Sequence, residues 1–274
     1  MGAMEDTARS EGPSLTELYE RVRVEDARLE VDTLGALEFV RVQEILRRHL
    51  PPPPTVIRDV GGGTGIHARW LASDGYSVEL LDPVPLHIER ASSDARRGVS
   101  FGVQLGDARN LPWADGSSDV VLLFGPLYHL PESADRAQAL SEARRVLRSD
   151  GILAAQCINI SAGLLDFAKR AILAETGPPP GTEQTLRTGV SAWRDFRPAY
   201  FHRPAELVDE VTEAGFASIE HVGVEGPGCM VPSLDADWLD ENRREHLLDA
   251  ARVAEVNPEL CLLSHHTIVI ARRS

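Results

Sequence analysis

Asp59, Asp82 and Asp107 each stand just past an apolar, strand-like run, a spacing that lets three acids converge on one ligand. The first begins the stretch Asp59-Val60-Gly61-Gly62-Gly63-Thr64-Gly65, which follows apolar residues 55–57 and precedes an apparent amphipathic helix. A glycine-rich turn between strand and helix brings bare backbone amides against a ligand, because no side chain stands between them. Asp82, roughly 20 residues past the first glycine, suits a ribose hydroxyl. Asp107 can accept from an exocyclic amine such as that of adenine, and Ala108 offers a compact backbone neighbour. Three such strand ends describe a nucleoside-cofactor cleft at the carboxyl edge of a parallel sheet.

The elements that must position these residues alternate along the chain. Strands are expected at residues 55–60, 77–81, 101–105, 120–124 and 152–157, with helices from about 65, over 85–96 and over 134–146. Such a βαβ series gives a parallel sheet with helices on both faces. Upstream, Leu34, Leu37, Val40, Val42, Ile45 and Leu46 repeat near the helical period, and the helix must stop before Pro51-Pro52-Pro53-Pro54. Leu18, Tyr19 and Val22 are spaced to share the face of an earlier helix.

Beyond 157 the pattern breaks for about forty residues, too long for an ordinary connection and suited to a lid. A helix over 204–214 closed by Gly215, a strand over 219–224, a helical insertion over 237–253 and a last strand over 267–271 complete the chain. The expected organisation is therefore a tail and cap helices (1–50), a cofactor-binding core (51–158), a substrate-pocket insertion (159–199), and a final segment (200–274). That segment completes the sheet and carries a second helical insertion at about 226–264.

The glycine spacing separates two cofactor classes. A nicotinamide site wants G-x-G-x-x-G; Gly61 and Gly63 match, but the next required position is Ile66 and Gly65 falls one residue early. The chain resembles the class I S-adenosylmethionine-dependent methyltransferases of the small-molecule "type 11" branch. The matching stretches are residues 56–65, Leu80-Leu81-Asp82, Gly106-Asp107-Ala108-Arg109, Leu111-Pro112-Trp113 and residues 143–151.

The resemblance implies a Rossmann-like α/β fold with a mostly parallel seven-stranded sheet, its last strand antiparallel, helices on both faces and a helical cap. It implies S-adenosyl-L-methionine as cofactor and S-adenosyl-L-homocysteine as product. Asp59 then resembles the acid that positions the methionine ammonium, while Gly61, Gly63 and Gly65 let the loop pass the ribose and amino-acid portion. Asp82 resembles the ribose acceptor and Asp107 the adenine-amine acceptor, with the Ala108 amide near a ring nitrogen. Phe124 and Gly125 line the methionine moiety, and Tyr19 is placed to cover its end, with ordinary helix packing as the other reading.

Methyl transfer is an in-line displacement that mainly asks the protein to align an acceptor and, for some acceptors, to withdraw a proton. His129 can titrate near neutrality as a general base, or can hold a backbone carbonyl. Tyr128 can orient the acceptor or simply pack, and His202 can face the cleft or bond at a helix entry. Arg28, Arg187 and Trp193 are candidates for acceptor recognition, with surface or packing roles as the alternatives. No metal site is expected.

Composition narrows the partners. A formal net charge of −14 over 274 residues disfavours broad contact with DNA, RNA or anionic membrane. Gly125-Pro126-Leu127-Tyr128 also departs from the Asn/Asp-Pro-Pro-aromatic pattern of DNA-base enzymes. Cys157, Cys229 and Cys261 show neither metal-site nor disulfide spacing. The expected protein is a cytoplasmic monomer or homodimer acting on an O-, N- or C-nucleophile of a small molecule. Peptide or RNA methylation, and a non-catalytic cofactor-binding regulator, are the alternatives.

Overall fold

The computed structural model describes residues 32–193 and 198–274. The first described helix, α1 (Thr33–His49), ends in Arg47, Arg48 and His49, cations that suit the negative end of the helix dipole. Leu37, Val42, Ile45 and Leu46 are at most 1% exposed, so each contributes about 1.5–3 kcal/mol by burial. Leu50 and the prolines after it stop the helix and deliver the chain to β1 (Val56–Val60).

From there the elements follow the expected alternation. They are α2 (Ile66–Ser73), β2 (Ser77–Asp82), α3 (Pro85–Arg97), β3 (Gly102–Leu105), β4 (Ser118–Leu123), the short α4 (Pro126–His129), α5 (Ser133–Val146) and β5 (Leu147–Asn159). The insertion folds as α6 (Ala162–Lys169), α7 (Ile172–Thr176) and α8 (Thr182–Thr188), then returns through β6 (Phe201–His202). Next come α9 (Pro204–Glu213), β7 (Phe216–Gly223), α10 (Leu234–Leu239), α11 (Glu241–Ala254) and β8 (His266–Arg273).

The sheet runs β3-β2-β1-β4-β5-β8-β7, with β8 antiparallel to both of its neighbours. This is the Rossmann-like α/β architecture, with one strand more than the seven expected: β6 pairs in parallel with the end of β5 through Ile158 and Asn159. β5 is also longer than residues 152–157. Its pairing with β4 resumes across an irregularity, next to Asp150 with φ of 64°. One layer of core packs α5 and α9 against Val60, Val121, Leu123, Leu153 and Ala155. The opposite layer packs α1 and α2 against Ile57, Leu122, Phe124 and Ala154. Strand order reverses between β1 and β4, and that switch point opens a crevice at the carboxyl edge of the strands. No helix among the described residues is long and apolar enough to cross a membrane.

Candidate active site

The crevice holds a cavity of about 420 Å³ whose walls include the loop after β1 and the ends of β2, β3, β4 and β5. The loop is tied down by Gly61 N–H, which donates to Leu81 O at 2.7 Å, and closes with Gly65 N–H on Gly62 O at 3.0 Å. Gly61 has φ of 73°, and a Cβ added there would meet Pro126 Cδ at 2.5 Å. Gly63 has φ of 56° and an added Cβ would meet nothing within 4 Å, so this residue turns bare backbone toward open space. Gly61→Ala is expected to destabilise the protein by about 3 kcal/mol, from left-handed strain plus overpacking. Urea denaturation checks this, and wild-type stability would show that Pro126 yields.

Three carboxylates meet the cavity in different electrostatic states. Asp59 is wholly buried, and among the described residues neither of its oxygens has a hydrogen-bond partner. Burial, reinforced by the charge of Asp82, pushes its carboxyl up to about 7; the nearby Ala68 amide pulls weakly the other way. Asp82 is 4% exposed and well satisfied. Its Oδ2 accepts from Gly63 N–H at 2.9 Å, while Oδ1 accepts from Val84 N–H at 2.9 Å and faces His87 Nδ1 at 3.0 Å. Asp107 is half-exposed and clasped by Arg109, with Nε to Oδ1 at 3.0 Å and a second bond to Oδ2 at 2.6 Å. That guanidinium holds the Asp107 carboxyl below the usual range and reaches Asp135 Oδ2 at 2.9 Å.

The far wall is built by α1, α2, α4 and β5. Phe124 and Gly125 follow β4, and Gly125 lies so close to the loop that an added Cβ would meet Gly61 O at 2.8 Å. Tyr128 donates its hydroxyl to Phe124 O at 2.7 Å, which fixes the ring, and His129 packs against it with centroids 4.8 Å apart. His129 Nδ1 donates to Pro198 O at 3.1 Å, so the neutral ring carries its lone pair on Nε2. His67 accepts from Trp70 Nε1 at 3.3 Å and stands edge-on to Phe124. Glu38 from α1 and Gln156 from β5 complete the inner end.

A family profile described as a methyltransferase domain matches residues 58–155. A protein of Encephalitozoon cuniculi (strain GB-M1), named as a methyltransferase, is 30% identical over 173 residues, covering 61% of this chain and 72% of that one. This chain belongs to the class I, type 11 methyltransferases. The 2-methyl-6-phytyl-1,4-hydroquinone methyltransferase of Synechocystis sp. (strain ATCC 27184 / PCC 6803 / Kazusa) is 36% identical over 103 residues, 37% of this chain and 31% of that enzyme. The chain spans 31% to 42% of the length of the first curated relatives it matches. A crystal structure of a protein from Pyrococcus horikoshii OT3 shares the fold at a TM-score of 0.63 and 16% identity, covering 93% of this chain and 99% of that one.

In this chain the cavity gathers Asp59, Gly61, Gly63, Asp82, Asp107, Ala108, Phe124, Gly125, Tyr128 and His129. Tyr19 and Arg28 lie outside the described residues. Four other expected site residues stand away from the cavity wall, each for a physical reason. Gly65 caps α2 in the left-handed region, with the Phe101 ring beside it, so it shapes the turn rather than the wall. His202 is fully buried on β6, its Nε2 facing Glu210 Oε2 at 3.4 Å and its ring edge-on to Tyr200. Trp193 sits between Phe167 and Phe201 at centroid distances of 5.2 Å and donates to Thr182 Oγ1, forming the insertion's own small core. Arg187 is exposed in the last turn of α8. Among the described residues, the insertion brings Pro198 alone to the wall.

Glu38, His67, His87, Arg109, Asp135 and Gln156 line the methyltransferase cavity without having been expected there. Two of them carried a readable signal. Glu38 falls four residues after Leu34 and four before Val42, a carboxylate on the apolar face of α1. Gln156 interrupts the apolar run of a central strand that is buried on both faces. The remaining four lie next to glycine or acidic motifs but have no spacing of their own.

Proposed function

We propose that this protein transfers a methyl group from S-adenosylmethionine to a nucleophile of a small molecule, leaving S-adenosylhomocysteine. The observation that carries the reading is Asp59, a fully buried carboxylate with two unpartnered oxygens at the wall of the switch-point cavity. A buried carboxylate without partners is costly unless a cation completes it, and the cofactor's amino-acid end brings an ammonium. The bare backbone at Gly63 fits the same ligand, since a ribose can approach it without meeting a side chain. In this reading Asp82 takes ribose hydroxyls, Asp107 takes the adenine amine beside the Ala108 amide, and Phe124 with Gly125 flanks the methionine chain.

When bound, the cofactor supplies a methyl group on a sulfonium centre, a good leaving group that asks little acid catalysis of the protein. The chain's own residues then orient the acceptor and receive its proton. His129 is our candidate for the second; its Nδ1–H bond to Pro198 O supports a neutral tautomer with the lone pair on Nε2. His129→Ala is expected to cut turnover about 100-fold while leaving cofactor affinity within about threefold, a general-base signature. Unchanged turnover across a full pH profile would remove the base role.

The acceptor is small in this reading because the cavity is a crevice walled by Tyr128, Leu130, Pro131 and Pro198. The Synechocystis relative is named for a hydroquinone acceptor, which is consistent with that class. Calorimetric titration with S-adenosylmethionine, S-adenosylhomocysteine and NAD as control tests the cofactor. Binding of NAD alone, or of none of the three, would overturn the reading.

A further inference from the structure

We propose that the acceptor is an amine whose ammonium group docks between Glu38 and Gln156, which deepens the methyl-transfer reading and rests on it. Strand register places the site. Leu123 pairs with Val60 on one side and Ala155 on the other, so the next row across the sheet is Gly61, Phe124 and Gln156. Gln156 therefore stands one strand spacing, about 4.8 Å, beyond the Phe124 position assigned to the methionine chain. Strand alternation turns its side chain to the same face as Asp59, Phe124 and Ala154, the face covered by α1 and α2.

The donor and acceptor arrangement there is specific. Gln156 Nε2 donates to Glu38 Oε1 at 2.8 Å, which fixes the amide orientation and turns its Oε1 the other way. That oxygen is buried, has no partner, and belongs to a side chain 2% exposed on the cavity wall. Glu38 is 3% exposed and is held from behind by His266, whose Nδ1 lies 3.6 Å from Glu38 Oε2. His266 is in turn gripped by Glu225, through Nδ1 to Oε1 at 2.5 Å and backbone N–H to Oε2 at 3.0 Å. The cavity thus offers two fixed acceptors side by side, one anionic and one neutral, with a second carboxylate, Asp59, on the same face.

An alcohol brings one donor and can satisfy only one of these acceptors. An ammonium brings several N–H donors and a positive charge that Glu38 can neutralise. An anionic acceptor is repelled by Glu38. For transfer, Glu38 and Gln156 hold the ammonium while one of its protons passes to His129, the base of the methyl-transfer reading on the same cavity wall, and the freed lone pair forms the new N–C bond. The C–S bond breaks with its electron pair kept on sulfur, the product nitrogen carries the positive charge, and the His129 proton returns to solvent. Charge and atoms balance without a further reactant.

The test titrates benzylamine and its neutral counterpart benzyl alcohol into protein loaded with S-adenosylhomocysteine, by calorimetry at pH 7.5. Benzylamine is expected to bind at least tenfold tighter than the alcohol. Glu38→Gln should erase that preference while its S-adenosylhomocysteine affinity stays within threefold of wild type. Gln156→Met, which keeps the volume and removes the unpartnered oxygen, should narrow it and serves if the Glu38 variant does not fold. Equal binding of the two probes by the loaded wild type, or a preference that survives in Glu38→Gln, overturns the amine assignment alone. Failure of the wild type to take up S-adenosylhomocysteine overturns the methyl-transfer reading beneath it.

Discussion

An Asp59→Asn variant is expected to bind S-adenosylmethionine at least about 100-fold more weakly than the wild type, while its unliganded form melts at a higher temperature. The two effects share one cause. Among the described residues neither oxygen of the fully buried Asp59 carboxylate is partnered, and burial pushes its carboxyl up to about 7. A carboxyl raised in the folded state binds its proton more tightly there than in the unfolded chain. Its ionisation therefore costs stability, starting above the unfolded value of 3.8 and complete once pH passes about 7.

Asparagine removes that cost and keeps the shape, so the variant gains stability at pH 8 and gains nothing at pH 4. For the ligand the sign is opposite. An ammonium needs the ionised carboxylate, so wild-type affinity climbs as pH rises through about 7. It levels and then declines once the ligand's own amine deprotonates near 8. The variant keeps only the second limb. Scanning calorimetry at both pH values and titrations from pH 5.5 to 8.5 check the pair; equal cofactor affinity in variant and wild type would show that the ammonium sits elsewhere.

The parts of this site that were legible in the sequence are those where chemistry is done by backbone or by strand ends. A glycine run after an apolar strand has few uses, and Gly61, Gly63, Asp82 and Asp107 all reach the cavity for that reason. The centre of the sheet was readable because strands such as β2 and β4 are apolar runs closed by a turn residue, and both lie within two residues of expectation. The extra strand β6 was not, because two residues carry no period.

Side chains supplied by the insertion misled. Trp193 looks like an exposed recognition group in a polar stretch, but a forty-residue excursion must bury something to fold, and it buries this ring. His202 followed the same logic, since its neighbours Tyr200 and Phe201 are themselves core residues. Glu38 and Gln156 were passed over because apolar periodicity draws attention to the residues that fit it. The informative ones were those that broke it.

Asp82→Ala is expected to weaken cofactor affinity about 100-fold, roughly 3 kcal/mol, from the loss of charge-assisted bonds to the ribose. The geometry makes this claim sharper than a deletion alone. A carboxylate offers about four lone-pair sites. Among the described residues Asp82 already spends three, on Gly63 N–H, Val84 N–H and His87. One site remains, on Oδ2, so accepting from both ribose hydroxyls requires the Gly63 or the His87 contact to give way.

Gly63 is the member able to move, because a Cβ added there would meet nothing within 4 Å, whereas Val84 and His87 belong to the start of α3 and are buried. Ribose binding is therefore coupled to a shift of the glycine loop. Removing one hydroxyl from the ligand should then cost the wild type about tenfold and cost Asp82→Ala almost nothing. A double-mutant-type cycle with S-adenosylhomocysteine and its 2′-deoxy analogue reads that difference directly. Equal losses in both proteins would move the ribose away from Asp82, and with it the reason for the loop to be glycine.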